Sequence, residues 1–318
     1  MNKTLTLGVD IGGTKLNIGL VDRSGHLLFS HKSMIHASKE PERVITDILT
    51  AIDRIRSKTG QETKALGVGV AAQVDQKGVV RGSQNLGWRN VPLKKKLEKE
   101  LGLPVTVIND VNAATLCEWR YGSGKDTNDL AVLFVGTGVG GGIITGGKLL
   151  SGCTNSGGEL GHITIVYDGR KCHCPNMGCL EAYVGGWAIA ERAQEAIRTT
   201  PKEGNHLLSL ADSIENVTAA TVSQAYREGD LLARKLVEDT GLYLAAGVVS
   251  IINIFNPCIL VLGGGVIEGI PDLVRIVDDF IQNRALEYSV ERLKIVKAAL
   301  GSDAGVIGAA ALAQDLMD

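Results

Sequence analysis

The chain has 318 residues, of which 44% are hydrophobic, so it can bury the core of one large or two medium domains. Its 40 glycines follow no G-x-y period and form no low-complexity run, which excludes collagen and a disordered chain. The net charge of −2 provides no general attraction for nucleic acid or for an anionic membrane, and we expect neither as a partner.

The first half of the chain alternates predicted strands and helices. Residues 5–34 predict three strands, the first of which ends in a glycine turn. Residues 44–55 carry apolar side chains at helical spacing and are followed by Gly60, which predicts an amphipathic helix. The next segments predict strand, short helix, strand and helix in turn; they are "ALGVGVAAQVD", "PLKKKLEKELG", "PVTVIND" and "VNAATLCEWRYG".

The same plan begins again at residue 130. "LAVLFVGTGVGGGIITGGKLL" (130–150) predicts three strands joined by glycine turns and repeats the plan of residues 5–28. A helical stretch from about 203 to 255 precedes a strand in "CILVLGGGV", a helix opened by Pro271 and an alanine-rich final helix. Two copies of one supersecondary plan predict a duplicated α/β fold with a cleft between its halves.

Export and membrane insertion are not indicated by any segment. "MNKTLTLGVD" lacks the apolar run and cleavage pattern of a signal peptide. "YLAAGVVSIINIF" (243–255) is too short to cross a bilayer and predicts a buried helix. Cys117, Cys153 and Cys258 each stand alone in apolar surroundings, as reduced buried thiols usually do. We therefore expect a cytoplasmic enzyme.

Three glycine turns follow predicted buried strands: Asp10-Ile11-Gly12-Gly13-Thr14-Lys15, Gly136-Thr137-Gly138-Val139-Gly140-Gly141-Gly142 and Gly263-Gly264-Gly265. Glycine lets backbone N–H groups converge on phosphate oxygens, and three such turns on two repeated halves predict a nucleotide site. The P-loop pattern and the protein-kinase motifs are absent from the sequence. Residues 136–141 match the dinucleotide fingerprint, but another turn follows them where that fold needs a helix.

Two aspartates end predicted strands. Asp10, in the first glycine turn, suits a Mg²⁺ ligand that acts through water. Asp110 stands at the start of a predicted helix, whose dipole keeps a carboxylate ionised, as a general base requires. A lone aspartate there more often only caps the helix. Asn109 beside it, together with the phosphate turns, favours the base.

Polar side chains gather around the loop "NSGGELGH" (155–162). It carries Glu159 and His162, and Glu181 follows shortly after. Carboxylates accept hydrogen bonds from neighbouring hydroxyl groups, so this cluster predicts a ligand with many hydroxyls, such as a sugar.

Three cysteines lie within eight residues beyond that loop. Cys172, Cys174 and Cys179 supply three thiolates, and His162 adds the imidazole that completes a tetrahedral Zn²⁺ site. A disulfide is disfavoured in the cytosol and would leave one thiol over. His173 is an alternative ligand with poorer geometry. We expect a structural zinc that holds the loop of Glu159, His162 and Glu181 in place.

These segments resemble the motifs of the ROK sugar kinases and repressors, in the same order along the chain. They are "DIGGTK", "INDVNAAT", "GTGVGGGII", "GGELGH", "CHCPNMGCLE", "LVLGGGV" and "GSDAGVIGAAALA". The resemblance implies the fold of the actin/hexokinase/Hsp70 superfamily, an α/β fold of two ribonuclease-H-like (actin-like ATPase) domains around a central nucleotide and sugar cleft. We predict a smaller domain from 1–120 plus 302–318, and a larger one, with the zinc loop, from 121–301.

"SQNLGWRNVPL" (83–93) resembles the bacterial glucokinase branch in particular. The resemblance implies transfer of the ATP γ-phosphate to the 6-hydroxyl of glucose, with Asp110 as the base, in a protein that forms a homodimer. Asn109, Asp110, Glu159, His162 and Glu181 would bind the sugar, with His162 also binding zinc through its other nitrogen. The residues that would hold ATP and its Mg²⁺ are Asp10, Gly12, Gly13, Thr14, Lys15, Thr137, Gly138, Gly264 and Gly265.

The chain departs from the family pattern at two places. Many family glucokinases read P-G-P-V-D where this chain has Ala71-Ala72-Gln73-Val74-Asp75. That loop lies near the sugar in the family, so Gln73 is a candidate sugar-binding residue that favours another substituent at the 2-position. Pro175 stands where glycine is usual in the zinc loop, and we still expect zinc because no thiolate is lost.

Four alternatives to a glucokinase remain at this point. The sugar is another hexose (N-acetylmannosamine, N-acetylglucosamine, mannose or fructose), or polyphosphate is the donor, which would call for a basic run that the sequence lacks. A family repressor would carry a helix-turn-helix before the first strand, and we expect none because that strand starts at Leu5. A non-catalytic sugar-binding protein would have lost Asp10 or Asp110, and both are present.

Overall fold

The computed structural model describes residues 5–317, whose strands form two five-stranded sheets and one three-stranded sheet. The strands are β1 Thr6–Ile11, β2 Lys15–Val21, β3 Leu27–Met34, β4 Leu66–Val70, β5 Gln73–Val74, β6 Val80–Gly82, β7 Arg89–Val91, β8 Val105–Asn109, β9 Leu130–Val135, β10 Val139–Thr145, β11 Lys148–Leu149, β12 Ile259–Gly263 and β13 Lys294–Lys297.

The helices lie between and after these strands. They are α1 Pro41–Thr59, α2 Leu93–Leu101, α3 Asp110–Tyr121, α4 Glu181–Val184, α5 Gly186–Thr199, α6 Asn205–Ala211, α7 Ala219–Arg227, α8 Leu231–Phe255, α9 Gly265–Gly269, α10 Asp272–Ile281, α11 Glu287–Val290 and α12 Ala304–Gln314. The predicted elements of the first half are confirmed, including Gly60, which ends α1 with φ of 63°.

The two large sheets follow one plan. The first has the order β3-β2-β1-β4-β8 and the second the order β11-β10-β9-β12-β13. In each, three consecutive strands are followed by two strands that the chain reaches through helices, and those two are parallel neighbours. The predicted internal repeat is therefore confirmed.

The first large sheet brings its predicted site residues to one edge. β1 is parallel to β4 and β4 to β8, with Ile11 opposite Val70 and Val70 opposite Asn109. The carboxyl ends of parallel strands lie at the same edge of a sheet. Asp10, near the end of β1, and Asn109, at the end of β8, therefore lie at the same edge of this sheet.

Helix α12 packs closely on this sheet because glycines face it. A Cβ added at Gly8 would lie 1.9 Å from the carbonyl oxygen of Val306, and one at Gly67 would lie 1.7 Å from that of Ala309. Only glycine permits such an approach between a strand and a helix backbone. The small residues predicted in the last helix are therefore matched by glycines in β1 and β4.

The described residues divide into two compact units, 5–127 with 142–158 and 299–317, and 128–141 with 159–298. The predicted domains, 1–120 plus 302–318 and 121–301, differ from these units chiefly in the placing of 142–158. As a domain division they stay a prediction.

The predicted helical stretch from 203 to 255 is three helices. Asp212 and Gly229 have positive φ and interrupt it, giving α6, α7 and α8. Helix α8 begins well before the apolar stretch from which we predicted it. By length and composition it is the one helix in the described part of the chain that would suffice to cross a membrane, a criterion that core helices of soluble proteins also meet.

Candidate active site

The predicted base lies where β8 passes into α3, and its neighbour caps that helix. The side-chain oxygen of Asn109 accepts hydrogen bonds from the backbone nitrogens of Val111, at 2.9 Å, and Asn112, at 3.0 Å. Asn109 Nδ2 donates to Asp110 Oδ1 at 3.1 Å. Capping of α3 is therefore the role of Asn109, which removes the main argument for Asp110 as a mere cap.

The Asp110 carboxylate is oriented by hydrogen bonds on one of its oxygens. Besides the amide of Asn109, Oδ1 accepts from the backbone nitrogen of Val111 at 3.0 Å. These N–H donors hold the carboxylate at the N-terminus of α3, and an ionised carboxylate is the form that accepts a proton from a substrate hydroxyl.

Asp10 lies near enough to Asp110 for the two carboxylates to repel each other. Burial, and then the charge of Asp110, raise the pKa of Asp10 to about 6, while a hydrogen bond with Asn17 lowers it. A Cβ at Gly305 would lie 2.9 Å from Asp10 Cγ, so the start of α12 also closes over this carboxylate. Two carboxylates that repel each other suit a divalent cation, which fits the predicted Mg²⁺.

The first glycine turn joins β1 to β2 beside Asp10. The backbone nitrogen of Gly12 donates to the carbonyl of Lys15 at 3.0 Å, and the side chains of Thr14 and Lys15 are exposed. Gly13 lies close to the side chain of Asn85. The five predicted phosphate residues of the first unit thus lie in and beside one tight turn, with Asp10 largely buried, Gly12 and Gly13 half-buried, and Thr14 and Lys15 exposed.

Gln73 lies in the same unit, in β5, with its side chain exposed. The residue before it, Ala72, accepts a hydrogen bond from Asn109 Nδ2 at 3.3 Å through its carbonyl. The structure therefore brings together four of the predicted residues, namely Asp10, Gln73, Asn109 and Asp110.

In the second unit, the backbone of the second glycine turn is hydrogen-bonded to the side chain of Glu181. Glu181 Oε2 accepts from the backbone nitrogen of Val139 at 2.8 Å, and a Cβ at Gly138 would lie 2.5 Å from that oxygen. A side chain at Gly138 would thus displace the Glu181 carboxylate from its hydrogen bond with Val139. Glu181 Oε1 lies 3.9 Å from Cys172 Sγ, so this residue connects the glycine turn with the cysteine cluster.

The predicted zinc ligands form one cluster. The ligand atoms of His162, Cys172, Cys174 and Cys179 all lie within 4.8 Å of one another. His162 Nδ1 is 3.7 Å from Cys172 Sγ, and the sulfurs of Cys174 and Cys179 are 3.6 Å apart. Three thiols and an imidazole at this separation are the donor set and the size that a tetrahedral Zn²⁺ site needs.

His173, the alternative ligand, points elsewhere. Its ring stacks on that of Trp187, with centroids 4.0 Å apart. Glu159 and His162 lie at the two ends of a single 3₁₀ turn, Leu160–His162, and the backbone nitrogen of His162 donates to the carbonyl of Glu159 at 3.0 Å. This turn is shorter and tighter than the open loop that the glycines predict.

A cavity of about 780 Å³ opens beside the second and third glycine turns. Thr137 and Gly265 line it together with Trp187, Ser223 and Arg227, which no sequence motif indicates. The buried indole Nε1 of Trp187 has no hydrogen-bond partner among the described residues. A cavity of this size, largely apolar with a few polar groups, is typical of a site for a nucleoside-sized ligand.

These cavity residues carry no sequence signal. Trp187 is the second residue of α5, Ser223 and Arg227 lie on α7, and neither helix has a spacing that relates it to a glycine turn. The glycines themselves were the only local indication, and Gly264, with φ of 92°, turns the chain from β12 into α9 beside the cavity.

The family model described as "ROK family" matches residues 6–316. The chain belongs to the ROK family.

Several similar proteins align with it over nearly their whole length. A glucokinase of Streptomyces coelicolor is 36% identical, and the alignment covers 98% of each chain. A glucokinase of Thermotoga maritima is 33% identical over 99% of each. The crystal structure of a ROK glucokinase from Streptomyces griseus, in complex with glucose and AMPPNP, is 35% identical with a TM-score of 0.84, covering 98% of this chain and 99% of that one. The likeness confirms the predicted two-domain, actin-like ATPase fold.

Proposed function

We propose that this ROK protein is an ATP-dependent glucokinase, which transfers the γ-phosphate of ATP to the 6-hydroxyl of glucose. The observation that carries the proposal is the Asp110 carboxylate, held at the N-terminus of α3 by Asn109, which itself caps the helix. The similarity to proteins named glucokinase at 33–36% identity, over almost the whole chain, supports glucose as the hexose. The complex of a similar protein with AMPPNP supports ATP as the nucleotide.

In the proposed reaction Asp110 accepts the proton of the sugar hydroxyl while the hydroxyl oxygen attacks the γ-phosphorus in line, and the bond from the γ-phosphorus to the bridging oxygen breaks so that ADP leaves. Asn109, Glu159, His162 and Glu181 bind the other hydroxyls of the sugar, and Gln73 contributes a neutral amide. Backbone N–H groups of the glycine turns take up the negative charge that develops on the phosphate oxygens. A Mg²⁺ ion held by Asp10, through water, would neutralise part of the phosphate charge.

We propose that the nucleoside of ATP occupies the cavity beside Trp187 and that Thr137, Gly138, Gly264 and Gly265 contact its phosphates. The size of the cavity and its position at two glycine turns support this assignment. Gly12, Gly13, Thr14 and Lys15 form the corresponding turn of the first unit and are proposed to contact the terminal phosphates.

We propose that Cys172, Cys174, Cys179 and His162 Nδ1 hold a structural Zn²⁺. A set of four protein ligands fills a tetrahedral ion and keeps no position open for chemistry. His162 would then have Nε2 available for a sugar hydroxyl, and the ion would stabilise the loop that leads to Glu181. Pro175 removes no ligand atom.

We further propose that the enzyme is a cytoplasmic homodimer that uses neither nucleic acid nor membrane as a partner. Light scattering of the purified protein would give the mass directly, with twice the chain mass expected. A monomer at the concentrations of the assay would contradict the dimer.

The function is tested by a coupled ADP-release assay with Mg-ATP over glucose, mannose, fructose, N-acetylglucosamine and N-acetylmannosamine. We expect the highest kcat/KM with glucose. A preference for an N-acetylated sugar would keep the kinase chemistry and assign the choice of sugar to the Gln73 loop. If the folded protein turned over none of the five, the proposed substrate class would be wrong.

A further inference from the structure

The residues around Gln73 form a short segment, 71–76, whose backbone is held by side chains from several places in the first unit. We call it the Gln73 segment. Ser83 Oγ donates to the carbonyl of Ala71 at 2.7 Å, and Asn109 Nδ2 donates to that of Ala72 at 3.3 Å. The segment therefore lies directly against the residue that orients Asp110.

Asn155 holds the same segment from the other side. Its Nδ2 donates to the carbonyl of Val74 at 3.0 Å. A second, longer link joins the same two stretches of chain, from Gln76 Nε2 to the carbonyl of Cys153 at 3.4 Å. The carbonyls on both sides of Gln73 are thus fixed, while its side chain is exposed and that of Val74 is buried.

Asn155 has a backbone conformation that glycine usually adopts. Its φ is 67°, in the left-handed region that glycine adopts at least cost, and glycines surround it at 152, 157 and 158. Asparagine tolerates this conformation, and unlike glycine it has a side-chain amide that can donate a hydrogen bond. That amide is the one bonded to Val74.

The hydrogen bonds connect Asn155 with the proposed base inside one unit. They run from Asn155 to Val74, and from Ala72, two residues earlier, to Asn109 and Asp110. A shift of the Gln73 segment would therefore alter both the place of the Gln73 amide and a hydrogen bond of Asn109.

We propose that Asn155 is a positioning residue for sugar selection, which fixes the Gln73 segment against Asn109 through its hydrogen bond to Val74. This inference rests on the proposed hexose kinase function. Asn155 does not itself contact the reacting atoms; it decides where the neutral amide of Gln73 stands relative to the sugar.

The test is the variant Asn155→Gly, because glycine keeps the left-handed backbone and removes only the amide. We expect KM for glucose to rise about threefold to tenfold, the effect of one lost hydrogen bond, with kcat and KM for ATP nearly unchanged. The ratio of kcat/KM between glucose and its 2-epimer mannose should fall as well. The matched control is Asn256→Gly, since Asn256 is also left-handed, with φ of 45°, but ends α8 in the other unit; it should change none of these values.

Hydrogen–deuterium exchange of both variants tests, without any substrate, whether Asn155 holds the Gln73 segment in place. We expect faster exchange of peptides that cover 71–76 in Asn155→Gly and no change there in Asn256→Gly. Unchanged exchange, or faster exchange with an unchanged sugar ratio, would overturn the proposal. If the wild-type protein phosphorylated no hexose, the proposed function would fail and sugar selection with it, whereas the exchange data would still show whether Asn155 holds the segment.

Discussion

At the scale of single residues, the neighbours Asn109 and Asp110 have different roles. Asn109 satisfies backbone nitrogens at the start of α3, and Asp110 presents a carboxylate that Asn109 orients. Asn109 accepts from two backbone nitrogens of α3, whereas Asp110 accepts from that of Val111 through Oδ1. The division is what makes Asp110 suitable as a base.

The variant Asp110→Asn should lower kcat by about 10²–10⁴-fold, because an amide cannot accept the proton of the hydroxyl. Its melting temperature should stay close to the wild-type value, since an amide oxygen can still accept from the backbone nitrogen of Val111. The measurement is the ADP-release assay combined with thermal unfolding. Asp53→Asn, an exposed carboxylate on α1, serves as the control and should keep full activity. Equal activity of the two variants would exclude Asp110 as the base.

Asp10 predicts a pH dependence of stability. Its pKa is raised from 3.8 to about 6 in the folded protein, so the folded state binds more protons than the unfolded state between these values. Its contribution is therefore most favourable below about pH 4 and is lost as the pH rises through about 6. Asp10→Asn should stabilise the nucleotide-free, magnesium-free protein at pH 7.5 by about 1–3 kcal/mol, and hardly at all at pH 4. Urea unfolding at both pH values measures the difference; a gain that is equal at both would contradict the assignment.

At the scale of elements, glycines decide how closely a helix approaches a sheet. Gly8 and Gly67 let α12 lie against β1 and β4 at distances that no side chain allows. The sequence shows these glycines in strands, where they are unfavourable by themselves, and only the packing of α12 explains them.

Gly67→Ala should destabilise the protein by about 3 kcal/mol or more, because the new methyl group overlaps the carbonyl of Ala309 and the backbone has to shift. Gly82→Ala is the matched control, since a Cβ there meets no atom within 4 Å. Urea unfolding of both variants gives the two free energies. Similar values would mean that α12 is not packed as described.

The cysteine cluster also stabilises a structural element, because it holds the loop between β11 and α4 in place. Purified protein should contain about one zinc ion per chain, by elemental analysis. Cys172→Ser should lower the zinc content and the melting temperature together, and a chelator should have the same effect on the wild type. Cys153→Ser, an exposed cysteine outside the cluster, should keep both. A zinc-free wild-type protein with an unchanged melting temperature would contradict the site.

At the scale of the whole molecule, the proposed functions are distributed between the two units. The first holds the proposed base, the Gln73 segment and one glycine turn. The second holds the proposed sugar ligands Glu159, His162 and Glu181 together with the cysteine cluster, two glycine turns and the cavity. None of these sugar ligands lines the cavity, so changes in the cavity should affect the nucleotide and not the hexose.

Ala220→Trp should raise KM for ATP by about tenfold or more, equal to 1.4 kcal/mol of lost binding, because the large side chain fills part of the cavity. KM for the hexose should hardly change. Gln224→Trp places the same side chain on an exposed position of α7 outside the cavity lining and should leave both constants unchanged. If the KM for the hexose rose instead, this cavity would not be the nucleotide site.

The sequence alone predicted most strands, most helices, the internal repeat and the cysteine–histidine cluster, but not β5, β6, β7 and β13. These features depend on local patterns: glycine after a buried strand, apolar spacing along α1, and cysteines close together in the chain. Local hydrogen bonding and side-chain direction fix such elements wherever the chain goes. The family resemblance added roles for residues that already stood out for their chemistry.

Contacts between distant segments depend on the tertiary fold. It stacks His173 on Trp187, places Ser223 and Arg227 beside two glycine turns, and joins Asn155 to Val74. The separations run from 14 residues between His173 and Trp187 to 91 residues between Gly136 and Arg227, and no local pattern relates these partners. Which side chains meet depends on how whole elements pack, and packing is a property of the complete fold rather than of any short stretch of sequence.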